Sequence, residues 1–238
     1  MTALLASVRS VDEALAAVAA GADIIDLKDP HAGALGALPA ALIGAIVARV
    51  RAVSGAPLSA TIGDLADGEI DEMLHRVQAT ARTGVDFVKV GIAAGPHARR
   101  ALERLAMTEQ PVVPLFLADA GIDLALIETA CAAGFPILMV DTADKRAGSL
   151  FDCVPLAALR RYLAITGAAG TRAGLAGSMR ADHVPALREL SPAIAGFRGA
   201  LCDGTRTGAL VPARVTALRA ALAPLRPGDL PTPVSRFA

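Results

Sequence analysis

The sequence predicts a single-domain α/β protein, a (β/α)8 barrel of the TIM-barrel class. Three observations lead there. Short apolar runs alternate with helical stretches eight times along 238 residues. Three segments, AAGADIIDLK, RTGVDFVKV and AAGFPILMVD, share one pattern: a helix end, a glycine, an apolar run and a charged residue near its end. A doubly wound open sheet would carry a glycine-rich turn after its first strand, and Val8-Arg9-Ser10 has none. The barrel is expected over residues 1–223. Residues 224–238, with four prolines, form a tail.

Taken in order, residues 3–8 read as strand 1, and Ser10 or Asp12 caps a helix that Gly21 ends. Strand 2 is 23–28, followed by a glycine-punctuated loop and a helix over 39–53 with proline at its start. Strand 3 (58–62) precedes a helix over 69–82, and strand 4 (86–90) one over 97–106. Strand 5 (112–117) and a helix over 123–133 follow, then strand 6 (137–141) and a helix over 155–166. Strand 7 (172–176), a helix over 182–190, strand 8 (193–198) and a helix over 212–223 complete the set. The longest stretch with few helix signals, 142–154, is a candidate substrate loop or lid.

Composition narrows the function classes. Hydrophobic residues make up 54% of the chain but aromatic ones only 3%, which suits close packing of helices on a sheet. Net charge is zero and no basic stripe interleaves with aromatics, which argues against a nucleic-acid partner. Three cysteines without a CxxC pair argue for a reducing compartment and against structural zinc. The apolar stretch in MTALLASVRS is too short for a signal peptide, and no apolar run is long enough to span a membrane. A cytoplasmic protein is expected.

The basic residues carry the sharpest signal. Of 23, only Lys28, Lys89 and Lys145 are lysine, and the other 20 are arginine. All three lysines lie at or just beyond predicted strand ends, where a parallel barrel places its catalytic groups. Arginine serves wherever a fixed positive charge suffices. A retained lysine points to an amine that can deprotonate and attack a carbonyl. Two neighbouring amines would lower each other's pKa, while a carboxylate in contact would raise it again. Asp26 shares a strand face with Lys28, and Asp141 ends strand 6, so both are candidate proton relays. Asp64 and His31 are further rim candidates. Gly177-Ser178 and Gly199-Ala200, after strands 7 and 8, suit a phosphate held by backbone N–H groups. No His/Asp/Glu cluster has metal-ligand spacing, so no metal is expected, and an imine on a lysine supplies an electron sink with no cofactor.

These motifs together resemble the (5-formylfuran-3-yl)methyl phosphate synthase family of methanofuran biosynthesis. The resemblance rests on DLKDP with a trailing GALG (26–36), SATIGD (59–64), DFVKVG (86–91), DTADKRAGSLFD (141–152), LAGS (175–178) and FRGALC (197–202). It runs from strand 1 to strand 8, and only the short segment 95–114 and the proline-rich tail depart from it. It implies a lyase that joins two glyceraldehyde 3-phosphates, with Lys28 as Schiff-base lysine and Lys89 as proton acceptor. Lys145 and Asp141 match further family positions in the site. Arg198 or Lys145 would contact the phosphate that leaves, and a homo-oligomer is the expected assembly.

Two other readings remain open from the residues. One is a class I aldolase or sugar-phosphate isomerase on the same barrel. The other is a non-catalytic phosphate-binding barrel, for which three rim lysines in place of arginine would serve no purpose.

Overall fold

The computed structural model describes residues 2–144 and 148–222. Eight parallel strands close into a barrel in chain order: β1 (Ala3–Val8), β2 (Ile24–Leu27), β3 (Leu58–Thr61), β4 (Phe87–Ile92), β5 (Val112–Leu117), β6 (Ile137–Asp141), β7 (Arg172–Leu175) and β8 (Ile194–Phe197). β8 pairs back onto β1 through Ala3↔Ile194 and Ala6↔Phe197, which removes the sheet edges. The helices are α1 (Val11–Ala19), α2 (Ala40–Arg51), α3 (Ile70–Ala81), α4 (Ala98–Ala106), α5 (Leu124–Ala132), α6 (Leu150–Cys153), α7 (Leu156–Ala168), α8 (Val184–Leu190) and α9 (Pro212–Ala221).

Strand alternation divides the apolar residues into two sets. One set, including Leu4, Ile25, Leu27, Val88, Leu138 and Val140, packs outward against the helices. The other, including Leu5, Ile24, Phe87, Val113, Met139 and Ile194, fills the barrel interior. The two faces explain why the strands read as continuous apolar runs rather than as alternating ones.

Local chemistry sets the boundaries. Ser10, not Asp12, caps α1, its hydroxyl accepting from the Glu13 N–H at 3.2 Å. β4 continues two residues past its predicted end, to Ile92. The 142–154 stretch is not all loop, since Ser149 and Asp152 form a capping box that starts the short helix α6. A single 3-10 turn, Ala181–His183, opens the segment leading into α8. Lys145 and the tail at 224–238 lie outside the described residues. Among the described residues no helix is long and apolar enough to cross a membrane.

Candidate active site

Three inner-face residues of the second strand segment run up the barrel: Ile24, Asp26 and Lys28. Ile24 lies in the apolar floor, Asp26 is buried at mid-height, and Lys28 is 7% exposed at the mouth. The strand registers Ser7↔Asp26 and Asp26↔Ser59 set two hydroxyls beside that carboxylate. Ser7 Oγ donates to Oδ2 at 2.9 Å and Ser59 Oγ to Oδ1 at 2.7 Å. Lys89 Nζ completes the set, 3.1 Å from Oδ1. Burial alone would push the Asp26 carboxyl up. The charges of Lys89 and Lys28, with hydrogen bonds from Ser59 and Lys89, outweigh it and hold the group below the ordinary carboxylate range. The charges of both lysines thus favour the ionised form of Asp26.

A cavity of about 150 Å³ opens above this row, lined by Lys28, Lys89, Asp141, the β7 and β8 loops, and Arg180 and Arg206. Asp141 is buried, and its Oδ1 accepts from the Thr142 N–H at 2.7 Å. On the opposite side the mouth is plugged. After Lys28 the chain turns, with the Asp29 N–H donating to the Gly36 carbonyl at 2.8 Å, and drops Leu35 into the interior. Leu35 fits because position 91 is glycine; a Cβ there would lie 2.4 Å from Leu35 Cδ1. The GALG and DFVKVG motifs are thus two halves of one contact.

Gly177, Ser178, Gly199 and Ala200 of the β7 and β8 loops line the cavity, and each carries a backbone N–H. None of these N–H groups bonds to a described residue. Gly177 has φ +115°, and a Cβ there would meet Thr142 at 3.1 Å. Ser178 has φ +45°, unusual for a residue with a side chain.

The remaining candidates lie elsewhere. Asp64 is exposed and packs on Gly33, outside the cavity lining. His31 sits on the outer rim, with its Nε2 2.8 Å from Arg9 Nη1, and is likewise not part of the lining. Arg198 corrects the expectation of a phosphate contact. Its Nε donates to the Arg206 carbonyl, Nη1 to the Ser7 carbonyl and Glu13 Oε2, and Nη2 to Glu13 Oε1 and the Gly208 carbonyl. A guanidinium has five N–H donors, so none is left for a ligand. Lys145 lies outside the described residues. Among those residues, no group of three or more His, Cys, Asp or Glu is placed to hold a metal.

The profile of the 4-HFC-P synthase family matches residues 4–219, nearly the whole described barrel. The chain belongs to the 4-HFC-P synthase family. Its relatives include a protein of Methylorubrum extorquens provisionally named as a (5-formylfuran-3-yl)methyl phosphate synthase, 40% identical over 89% of this chain and 88% of that one. The (5-formylfuran-3-yl)methyl phosphate synthase of Archaeoglobus fulgidus is 33% identical over 86% and 92%. Among solved structures, phosphoribosyl anthranilate isomerase from Thermus thermophilus superposes with TM-score 0.64 at 16% identity, covering 94% of this chain and 98% of that one. The 3-hexulose-6-phosphate synthase of Salmonella typhimurium gives 0.62 at 18%, covering 93% and 100%. At these identities the solved structures speak for the barrel alone.

In this member of the 4-HFC-P synthase family, sequence reasoning missed Ser7, Ser59, Arg180 and Arg206. Ser7 and Ser59 had a readable signal, a polar residue on the same strand face as apolar core residues. The two arginines had none, because only the closed barrel brings their loops to the cavity.

Proposed function

We propose that this chain condenses two molecules of glyceraldehyde 3-phosphate into (5-formylfuran-3-yl)methyl phosphate, a precursor of methanofuran. It acts as a carbon–oxygen lyase working through a lysine Schiff base. Two three-carbon phosphates, less one phosphoric acid and two waters, leave the six-carbon furan phosphate, so the atoms balance. The observation that carries the reading is one cavity lined by Lys28, Lys89, Asp141 and the unbonded N–H groups of the β7 and β8 loops.

Lys28 attacks the aldehyde of one triose and expels water. The protonated imine then serves as electron sink for removal of the neighbouring proton and for carbon–carbon bond formation. Lys89 accepts a proton. It rests as an ammonium 3.1 Å from Asp26 and takes up a proton only after giving its own to the water that leaves as the imine forms, so each return to the ammonium meets a fixed counter-charge. Asp141 serves the later proton transfers of dehydration, and Lys145 belongs to the same site by its position in the family motif. Gly177, Ser178, Gly199 and Ala200 hold the phosphate that the product keeps.

The test is incubation with glyceraldehyde 3-phosphate alone, following furan-aldehyde absorbance together with free phosphate. One phosphate released per furan is the expected result. Consumption of triose phosphate without furan, or its conversion to an isomer, would replace this reading with the aldolase or isomerase alternative.

A further inference from the structure

Two triose phosphates bring two phosphate groups into one cavity, and the four N–H groups of the β7 and β8 loops account for one of them. We infer that Arg206 holds the second phosphate, the one that is released. The inference rests on the condensation proposed above.

Among the described residues, the cationic side chains that line the cavity are Lys28, Lys89, Arg180, Arg198 and Arg206. Lys28 is assigned to the imine, and Lys89 is paired with Asp26. Arg198 has every donor committed within the protein. Arg180 is flanked by two carboxylates, with Nε 3.4 Å from Asp182 and Nη1 4.0 Å from Asp152. Arg206 differs from all of these. Its guanidinium gives one bond, Nη2 to the Gly33 carbonyl at 3.0 Å, and has no carboxylate partner among the described residues. The remaining N–H donors form a planar fork suited to a phosphate.

Position supports the assignment to a separate subsite. The Arg206 Cβ lies 3.9 Å from where a Cβ of Gly199 would be, so the side chain starts beside the first phosphate cradle. Its guanidinium ends against Gly33, in the loop that follows Lys28. An anion on that guanidinium therefore sits toward the β1–β2 side of the mouth, away from the β7 loop. Arg198 fixes the backbone there by donating to the Arg206 carbonyl at 2.8 Å.

The experiment compares wild type, Arg206→Gln and Arg206→Lys with glyceraldehyde 3-phosphate in two readouts. The first is the triose concentration that half-saturates borohydride-trapped adduct on Lys28. The second is the KM for furan release, with inhibition by inorganic phosphate. In Arg206→Gln we expect half-saturation of the adduct to move by less than about two-fold, while KM rises about ten-fold or more and phosphate inhibition weakens in parallel. Arg206→Lys should recover part of both losses. Equal rises in adduct half-saturation and KM would assign Arg206 to the first triose and overturn the inference. So would unchanged KM and phosphate inhibition, which would leave Arg206 only tying two loops together. A wild-type protein that forms neither adduct nor furan would overturn the condensation itself.

Discussion

Asp26 and Lys89 form an ion pair of 3.1 Å inside the barrel, with side chains 0% and 3% exposed. A pair this deep forgoes the solvation of two charges, and its mutual attraction offsets that loss only when further hydrogen bonds complete the carboxylate. Ser7 and Ser59 supply them. The pair fixes the Lys89 amine in the cavity that Lys28 also lines.

Asp26→Asn should therefore damage more than chemistry. It keeps the shape but leaves Lys89 buried without its counter-charge, at a cost of about 3–5 kcal/mol. Urea unfolding measures this. Adding Lys89→Met to the same chain should restore part of the loss, and strictly additive effects would mean that the pair is not coupled.

The pair also fixes a pH dependence. Burial raises the Asp26 pKa, the charges of Lys89 and Lys28 lower it by more, and the folded value ends below the unfolded one. Glu13 follows the same pattern, with burial opposed by its bonds to Arg198 and Arg9. The unfolded chain then binds more protons, so both groups contribute stability that is full above their unfolded pKa values, about 4. That stability is lost as pH falls through the folded values. Between about pH 5 and pH 3, wild-type unfolding free energy should fall more steeply than that of Asp26→Asn. Parallel slopes would count against a depressed Asp26.

Lys28→Arg should abolish both furan formation and the borohydride-dependent mass gain, because a guanidinium keeps the charge but cannot form an imine. Lys89→Arg should still give the adduct on Lys28 and release no furan. Peptide mapping of the reduced wild-type adduct checks the first assignment, and an added triose mass on Lys89 would reverse the two roles.

The phosphate loops separate stability from binding. At Gly199 a Cβ would meet nothing closer than Arg206 Cβ at 3.9 Å, so Gly199→Val should fold normally while raising KM about ten-fold or more by crowding the N–H groups. At Gly177 the positive φ and the 3.1 Å approach of Thr142 add strain, and Gly177→Val should also lose roughly 1–3 kcal/mol of stability. Thermal unfolding beside steady-state kinetics distinguishes the two variants. Normal KM in Gly199→Val would take the phosphate away from the β8 loop.

Much of this was legible before any coordinates. Apolar runs at barrel spacing gave eight strands, and their charged ends gave one rim, because a closed parallel sheet brings every strand terminus to the same face. Asp26 and Lys28 could be set on one strand face by their two-residue spacing. The small helix α6 was hidden because its four residues are too few for a helical period to show, and its capping box was the available clue.

The sequence by itself determined the fold, the family motifs and the identity of the lysines, since these follow from local period and residue chemistry. Tertiary structure alone decided which charges meet. Asp26 is joined to Lys89 because strand register and the reach of one side chain bring them within 3.1 Å. Arg198 is consumed by Glu13, 185 residues away, because β8 closes on β1 and carries the arginine over the start of α1. That same closure sets Arg206 over the mouth. Electrostatic partnership depends on distance in space, and in a barrel the chain ends that close the sheet become neighbours.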